Sequence, residues 1–389
     1  MHRNLILLTN QFNMKITDIK TYIVGLDRNF MFVEVETDAG ISGIGEAGLT
    51  FREDAQAGFI DALKPSLIGQ QASRTEHLWQ TMSRCGFFPT TGVGAAAVSA
   101  IDIALWDIKA KSYGVPLYEL LGGKVRDKIY SYTHIHGMTP EALASNAKEK
   151  HEAGWKVIRF QPPHQQGVFE PRLAIKATVA QVAEIRNTLG DDIEIILDVH
   201  TRLDPSDAIT LCNQLEPFNL YFIEDPVRVE NVSVVQRLRE ATSVPLAIGE
   251  QFSSKWEFAP LIENNWFDFC RLDLCVAGGF TEARKIAGMC ESHYIPISPH
   301  NPLGPVATAA CIHMDLATSN FAVQECARPP GTILPEMFPT QVTWSDGFLY
   351  PTDAPGLGIE FNPEAASKYP PITGDAPRLR RDDGSYINW

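Results

Sequence analysis

Three acidic residues close three short apolar runs at one fixed interval: Asp198 in IILDVH, Glu224 in YFIEDP and Glu250 in LAIGEQ, 26 residues apart each time. Each run is rich in β-branched or aromatic residues, and a stretch of helical composition separates it from the next, the pattern of consecutive βα units. In a parallel barrel the ends of successive strands open on one rim. The interval therefore predicts three carboxylates at a single mouth. Three unrelated surface acids would have no reason to share a spacing and a local context. Carboxylates gathered in this way repel one another unless a hard cation lies among them, and an all-oxygen set without Cys or His suits Mg²⁺.

The alternation continues on both sides. From Lys128 onward the strand candidates are KIYSYTHI, KVIRFQ, EIILDV, LYFIED, PLAIGE, FDFCRLDL, YIPISP and FAVQEC, eight in all. Helical stretches such as PEALASNAKEKHEAG and DAITLCNQLEP lie between them, so the natural closure is a (β/α)₈ barrel within the α/β class. Upstream the period is different. Residues 15 to 50 alternate through FMFVEVET, turn at Asp38-Ala39-Gly40 and resume as ISGIGE, which reads as an antiparallel hairpin. GVGAAAVSAIDIALWDIKAKSYG reads as a helix with Ala97, Ile101, Ala104, Leu105 and Ile108 on one stripe and Gly114 as its stop. The chain thus divides into an N-terminal extension (1–13), an α+β capping domain (14–127), the barrel (128–335) and a turn-rich segment (336–389) expected to pack back on the cap.

Composition narrows the partners. A formal charge of −14 argues against nucleic acid and anionic membrane, both of which need basic surface. It does not forbid an anionic small substrate, because a bound metal inverts the field locally. Hydrophobic residues at 44% and charged residues at 21% suit a soluble globular protein. The seven cysteines form no CxxC and no paired spacing, so they read as reduced core thiols of a cytoplasmic protein. The opening MHRNLILLTNQFN lacks a small-residue cleavage site and a long apolar core, so a signal peptide is not expected.

Several residues near the strand ends can do chemistry. His200 lies two positions after Asp198, on the same face of an extended chain, where an imidazole can act as acid or base; a metal ligand or a structural His are the competing readings. His300, in SPHNPLGP, follows Asp273 of RLDLCVAGG by 27 residues, one βα repeat. A carboxylate bonded to one ring nitrogen raises the basicity of the other, so the two form a candidate proton-abstracting dyad. Glu325 closes the eighth run and could face that His or be structural. Arg159 and Gln161, again two apart, suit substrate holding, as does Arg271 in the strand that carries Asp273. Gly43-Ile44-Gly45-Glu46-Ala47-Gly48 matches the dinucleotide fingerprint GxGxxG, but it falls on the return strand of a hairpin rather than at a strand-to-helix turn. His134 and His136 have no third ligand nearby, which favours lining or packing over metal binding.

Taken together these residues resemble the enolase superfamily, mandelate racemase-like branch, and within it the acid-sugar dehydratases typified by D-galactonate dehydratases. The resemblance runs from Met14 almost to the end. It includes VETDAGISGIGE, ALWDIKAKSYGVPLYELLGG, the three acids, the AGG turn at Ala277 to Gly279, HNPLGP and PGLGIE. It implies Mg²⁺ on the carboxylate of a small sugar acid, removal of the C2 proton, and loss of the C3 hydroxyl to give a 2-keto-3-deoxy acid. Position by position it implies Asp198, Glu224 and Glu250 as ligands, His300 with Asp273 as base, His200 as acid and Glu325 on the substrate carboxylate. It also implies a homo-oligomer. A D-mannonate dehydratase, an epimerase or cycloisomerase of the same superfamily, or a low-activity binding or regulatory relative are the alternatives. Many relatives carry Lys-x-Lys where this chain has Arg159-x-Gln161, which argues against a racemase with two opposed bases. Arg-x-Gln and DVHTRLDP resemble D-mannonate dehydratases, but the Tyr that such enzymes pair with the Arg is absent between Arg159 and Asp198. The dyad therefore favours a galactonate- or gluconate-like substrate, with selectivity expected from cap residues near Arg28, Phe51 and Phe87.

Overall fold

The computed structural model describes residues 13–374 and 376–388. Of the expected N-terminal extension, all but Asn13 lies outside the described residues. Strands β1 (Ile16–Gly25), β2 (Asn29–Thr37) and β3 (Ser42–Ala47) form an antiparallel sheet in that order. The helix Val93–Tyr113 lies across it and stops at Gly114, whose φ of 70° is the left-handed cap that glycine tolerates. The glycines of the GxGxxG stretch explain themselves here. A Cβ on Gly43 would overlap the carbonyl of Ala104, and one on Gly45 that of Ala100, so they let helix and sheet approach closely.

That helix is buried on nearly every face rather than along one stripe. Its other side meets the barrel. The Asp102 carboxylate accepts from the Thr281 amide at 2.9 Å and the Thr281 hydroxyl at 2.6 Å, while Ser99 Oγ accepts from Gly278 N at 2.8 Å. Cap and barrel are thus joined by satisfied buried polar groups as well as apolar packing.

The barrel strands β4 (Ile129–His134), β5 (Val157–Phe160), β6 (Glu194–Asp198), β7 (Phe222–Glu224), β8 (Leu246–Ile248) and β9 (Phe269–Cys270) are parallel neighbours in sequence order. β10 (Gln324–Glu325) pairs with β4 and closes the ring. The run YIPISP contributes one bridging residue, Ile297, between Cys270 and Phe321. Pro296 and Pro299 flank it and lack the amide hydrogens a longer ladder needs. Tyr132, Val157, Ile196, Phe222, Ala247 and Val323 fill the barrel interior beneath the mouth.

Residues after the barrel contact both domains. β11 (Thr343–Ser345) and β12 (Phe348–Tyr350) form a hairpin whose β12 pairs antiparallel with β4. Gly25 N donates to Tyr369 O at 3.2 Å and Leu117 N to Gly356 O at 2.8 Å, which tie the segment to the cap. A last hairpin, β13 (Leu379–Arg380) with β14 (Tyr386–Ile387), lies over the barrel loops: Arg380 N donates to Gly167 O at 2.9 Å and Phe169 N to Arg380 O at 2.8 Å. Every cysteine is free, and all but Cys85 are buried. Among the described residues no helix is long and apolar enough to cross a membrane.

Candidate active site

β6 and β7 end in register, with Asp198 paired to Glu224, and both carboxylates are buried. Glu250 follows β8 after Gly249. Glu224, Asp225 and Glu250 each place a carboxylate oxygen within 4.8 Å of the others. Two of the three expected acids therefore meet, and Asp225 joins them. Adjacent residues of a strand normally face opposite ways. Asp225 escapes that rule with a φ of 36°, which swings its side chain to the mouth. Asp198 is differently engaged. Its Oδ1 accepts from His200 N at 2.7 Å, and its Oδ2 faces the Arg159 guanidinium, Gln161 Nε2 at 3.1 Å and His200 Nδ1 at 3.2 Å.

The acid cluster is short of donors. Glu224 Oε2 and both Asp225 oxygens are buried without a hydrogen-bond partner. Burial pushes the Glu224 carboxyl up to about 7 against the pull of Arg271, with the neighbouring Glu250 adding to the rise. Unpartnered buried carboxylate oxygens are costly unless a cation joins them, and an all-oxygen set fits a hard divalent ion. Glu224, Glu250 and Asp225 or Asp198 are the residues that would hold it.

Beside this cluster stands its opposite. Arg271 is fully buried, and its nitrogens donate to Glu224 Oε1 at 2.6 Å, Ser298 O at 2.7 Å and Glu325 Oε2 at 2.7 Å. The expected substrate-holding residue is instead an internal tie between two carboxylates. Glu325 also accepts from Asn301 N at 2.8 Å and His134 Nε2 at 2.7 Å. Burial opposes its charge, yet Arg271 and His134 hold it well below the usual carboxylate range. Burial in turn lowers His134 to about 4, so the ring is neutral and donates to Glu325. Of lining and packing, the two roles expected for His134, the first holds, since it bonds a site carboxylate.

His300 Nδ1 lies 2.8 Å from Asp273 Oδ2, as the one-repeat interval predicts, and its Nε2 lies 3.4 Å from Glu250 Oε2. Burial works against the ring's charge, but Glu250, the Asp273 hydrogen bond and Glu325 overcome it and raise the group to about 9. His200 goes the other way. Burial, with Arg159 and Arg202 nearby, outweighs Glu250 and lowers it to about 4. The cap reaches the same mouth. Arg28 Nη1 donates to Pro302 O at 3.3 Å, and the Glu46 carboxylate accepts from Gly304 N at 2.7 Å and Ala307 N at 2.8 Å, fixing the loop that carries His300. Phe51 sits in the left-handed region at φ 64°, and Phe87 is 95% exposed.

A barrel whose strand ends carry buried acids and a His–Asp dyad beneath an α+β cap defines a class, and comparison with known proteins agrees. The family model "Mandelate racemase / muconate lactonizing enzyme, N-terminal domain" matches residues 15–122, and "Enolase C-terminal domain-like" matches 142–366. The chain belongs to the enolase superfamily, mandelate racemase-like branch. It is 36% identical to a D-mannonate dehydratase of Caulobacter sp., over 97% of this chain and 100% of the relative. It is 37% identical to a D-galactonate dehydratase of Pectobacterium atrosepticum, again over 97% and 100%. A crystal structure of an enolase from Pantoea ananatis with bound D-gluconate and Mg superposes with a TM-score of 0.91 at 34% identity, covering 97% of this chain and 100% of that one. The chain is accordingly an enzyme of the hydro-lyase class to which those dehydratases belong.

Proposed function

We propose that this enzyme is a Mg²⁺-dependent aldonate dehydratase that converts a galactonate- or gluconate-like acid to its 2-keto-3-deoxy product. The observation that carries the reading is the pair of imidazoles that flank Glu250 around the rim, one on the β6 side and one after Ile297, with Asp273 behind the second. A bound divalent cation supplies the positive charge that stabilises a dianionic enediolate, which carboxylate substrates otherwise form only with great difficulty.

The chain's own residues account for the proton movements. His300 Nε2 takes the C2 proton, while Asp273 holds Nδ1 and stabilises the imidazolium. The C2 electrons form the C2–C3 double bond and the C3–O bond breaks. His200 donates to the departing hydroxyl, which becomes basic enough to draw a proton from a neutral ring as it leaves. Water departs and the enol rearranges to the keto acid. His200 regains a proton and His300 loses one to solvent between turnovers. Arg271, His134 and Asn301 keep Glu325 ionised and immobile beside the reacting carboxylate region.

The galacto or gluco configuration is favoured because the basic His lies on the Asp273 side, and no Tyr occurs between Arg159 and Asp198 to serve as a base opposite it. The names of the curated relatives and the gluconate-bound neighbour support the substrate class. The test is a panel of six- and five-carbon aldonates with Mg²⁺, read by semicarbazide absorbance and by solvent deuterium at C2. A 2-keto acid from a galactonate- or gluconate-like member, lost on chelation, is expected. Silence across the whole panel would end this reading. Deuterium at C2 without loss of water would reassign the enzyme to epimerisation.

A further inference from the structure

His200 and Thr201 are consecutive non-glycine residues in the left-handed region, with φ of 57° each. Side chains disfavour that conformation, so two in a row persist only where neighbours impose it. The imposing contacts are visible. His200 N donates to Asp198 Oδ1 at 2.7 Å and Thr201 N to Asp225 O at 2.7 Å. The remaining restraint comes from far along the chain. Asn388, just after β14, donates through Nδ2 to Thr201 O at 2.6 Å and lies 2.9 Å from Thr201 Oγ1, while Arg228 grips its Oδ1.

A second line of contacts reaches the ring itself. Phe169, whose amide is bonded to Arg380 of β13, is fully buried with the Arg202 guanidinium 5.9 Å from its ring centre. Arg202 donates to Pro162 O at 3.2 Å and to Gln161 Oε1 at 3.0 Å. Arginine has no acceptor, so the amide oxygen of Gln161 must face it. The Gln161 NH₂ is thereby turned toward His200 Nδ1 at 3.0 Å and Asp198 Oδ2 at 3.1 Å. An amide NH₂ only donates, so Nδ1 accepts and the ring hydrogen belongs on Nε2. His200 Nδ1 also lies 3.2 Å from Asp198 Oδ2, but that oxygen already accepts from Arg159 and Gln161, and the shorter Gln161 contact sets the tautomer.

We propose that the β13–β14 hairpin is a strap that positions His200: Asn388 holds the left-handed turn that aims the ring, and Arg202, seated on the strap-anchored Phe169, orients Gln161 and so fixes the Nε2–H tautomer. Arg202 and Asn388 are then positioning residues for the second half of the reaction, an inference that rests on His200 as donor to the leaving hydroxyl. They leave proton removal at C2 to His300.

Two readouts test it. In metal-free protein carrying ¹⁵N-histidine, with His200 assigned by its loss in H200Q, the wild type and R202K should show the Nε2–H tautomer. R202M, which frees Gln161 to flip, should show Nδ1–H or a mixture. With an aldonate in ²H₂O, N388A and R202M should lose about tenfold in dehydration while C2 exchange stays within about twofold, and R202K should recover most of the loss. Asn388 is only partly buried, so N388A keeps the test open if R202M does not fold. Parallel loss of exchange and dehydration, no loss of either, or an unchanged tautomer in R202M would overturn the proposal. Should no aldonate be turned over, the tautomer still decides the strap's role, while the dehydratase reading fails separately.

Discussion

The two histidines beside Glu250 are the same residue type at the same rim, yet their walls are built on opposite principles. His300 stands among acids: Glu250, Asp273 and Glu325 lift it to about 9 despite burial. His200 stands among donors: burial, with Arg159 and Arg202, lowers it to about 4, and Gln161 offers its Nδ1 an N–H. An acidic wall yields a ring with strong proton affinity. A cationic and amide-lined wall yields a neutral ring that gives a hydrogen bond. One elimination needs both, and the barrel supplies them from strands on either side of a shared carboxylate.

The severest way to break the contrast is to remove what the two walls share. E250Q should lose at least about 10³-fold in turnover together with measurable Mg²⁺ binding by calorimetry. A variant that kept normal metal affinity would detach Glu250 from the cluster. D273N attacks one wall only. It should cost about 10²-fold to 10³-fold in C2 exchange while leaving the ratio of dehydration to exchange nearly constant, and a change in that ratio would mean that Asp273 also serves the His200 half.

A gentler test sharpens the comparison by titration. In metal-free protein the His300 NMR signal should titrate near 9 and that of His200 near 4. Mg²⁺ should lower the His300 midpoint by at least about one unit, because the Glu250 charge that chiefly supports the imidazolium is then shared with the cation. An unmoved midpoint would show that Glu250 is not engaged. Protons and metal also compete for Glu224, raised to about 7, so Mg²⁺ affinity should fall as pH drops below that value.

The smallest effect is on stability. His300 has a folded pKa above its ordinary value of 6.5, so its contribution is complete below 6.5 and is lost as pH rises through about 9. His200 has a depressed folded pKa, so its contribution is present above 6.5 and lost as pH falls through about 4. H300N should therefore cost the metal-free protein most near pH 6, on the order of 1 kcal/mol in denaturant titrations, and little near pH 10. H200N should instead gain on wild type as the medium turns acid. The same dependence in both variants would erase the asymmetry.

Much of this is legible in the sequence. The interval between Asp198, Glu224 and Glu250 exposes the βα repeat because each repeat restarts with the same strand, loop and helix composition. One repeat between Asp273 and His300 exposes the dyad for the same reason, and their nitrogen and oxygen do meet. Asp225 was not legible, since alternation assigns it the opposite face from Glu224 and only a positive φ reverses that. The role of Arg271 is not legible, because depth below the mouth leaves no mark in a strand sequence; its guanidinium is engaged by Glu224, Ser298 and Glu325 rather than free for a substrate. The turn-rich segment after the barrel gave no sign that β12 would pair with β4 or that Asn388 would reach Thr201.

Sequence alone determined the order of the strands, the kind of side chain each delivers to the rim, and hence a mouth rich in carboxylate and imidazole. These follow from local periodicity, which a linear string records faithfully. Only the tertiary structure decided which carboxylates lack donors, which are saturated by Arg271 and His134, and which His is driven up and which down. Those properties depend on burial and on partners up to 191 residues away, such as His134 for Glu325, and such distances leave no periodic trace.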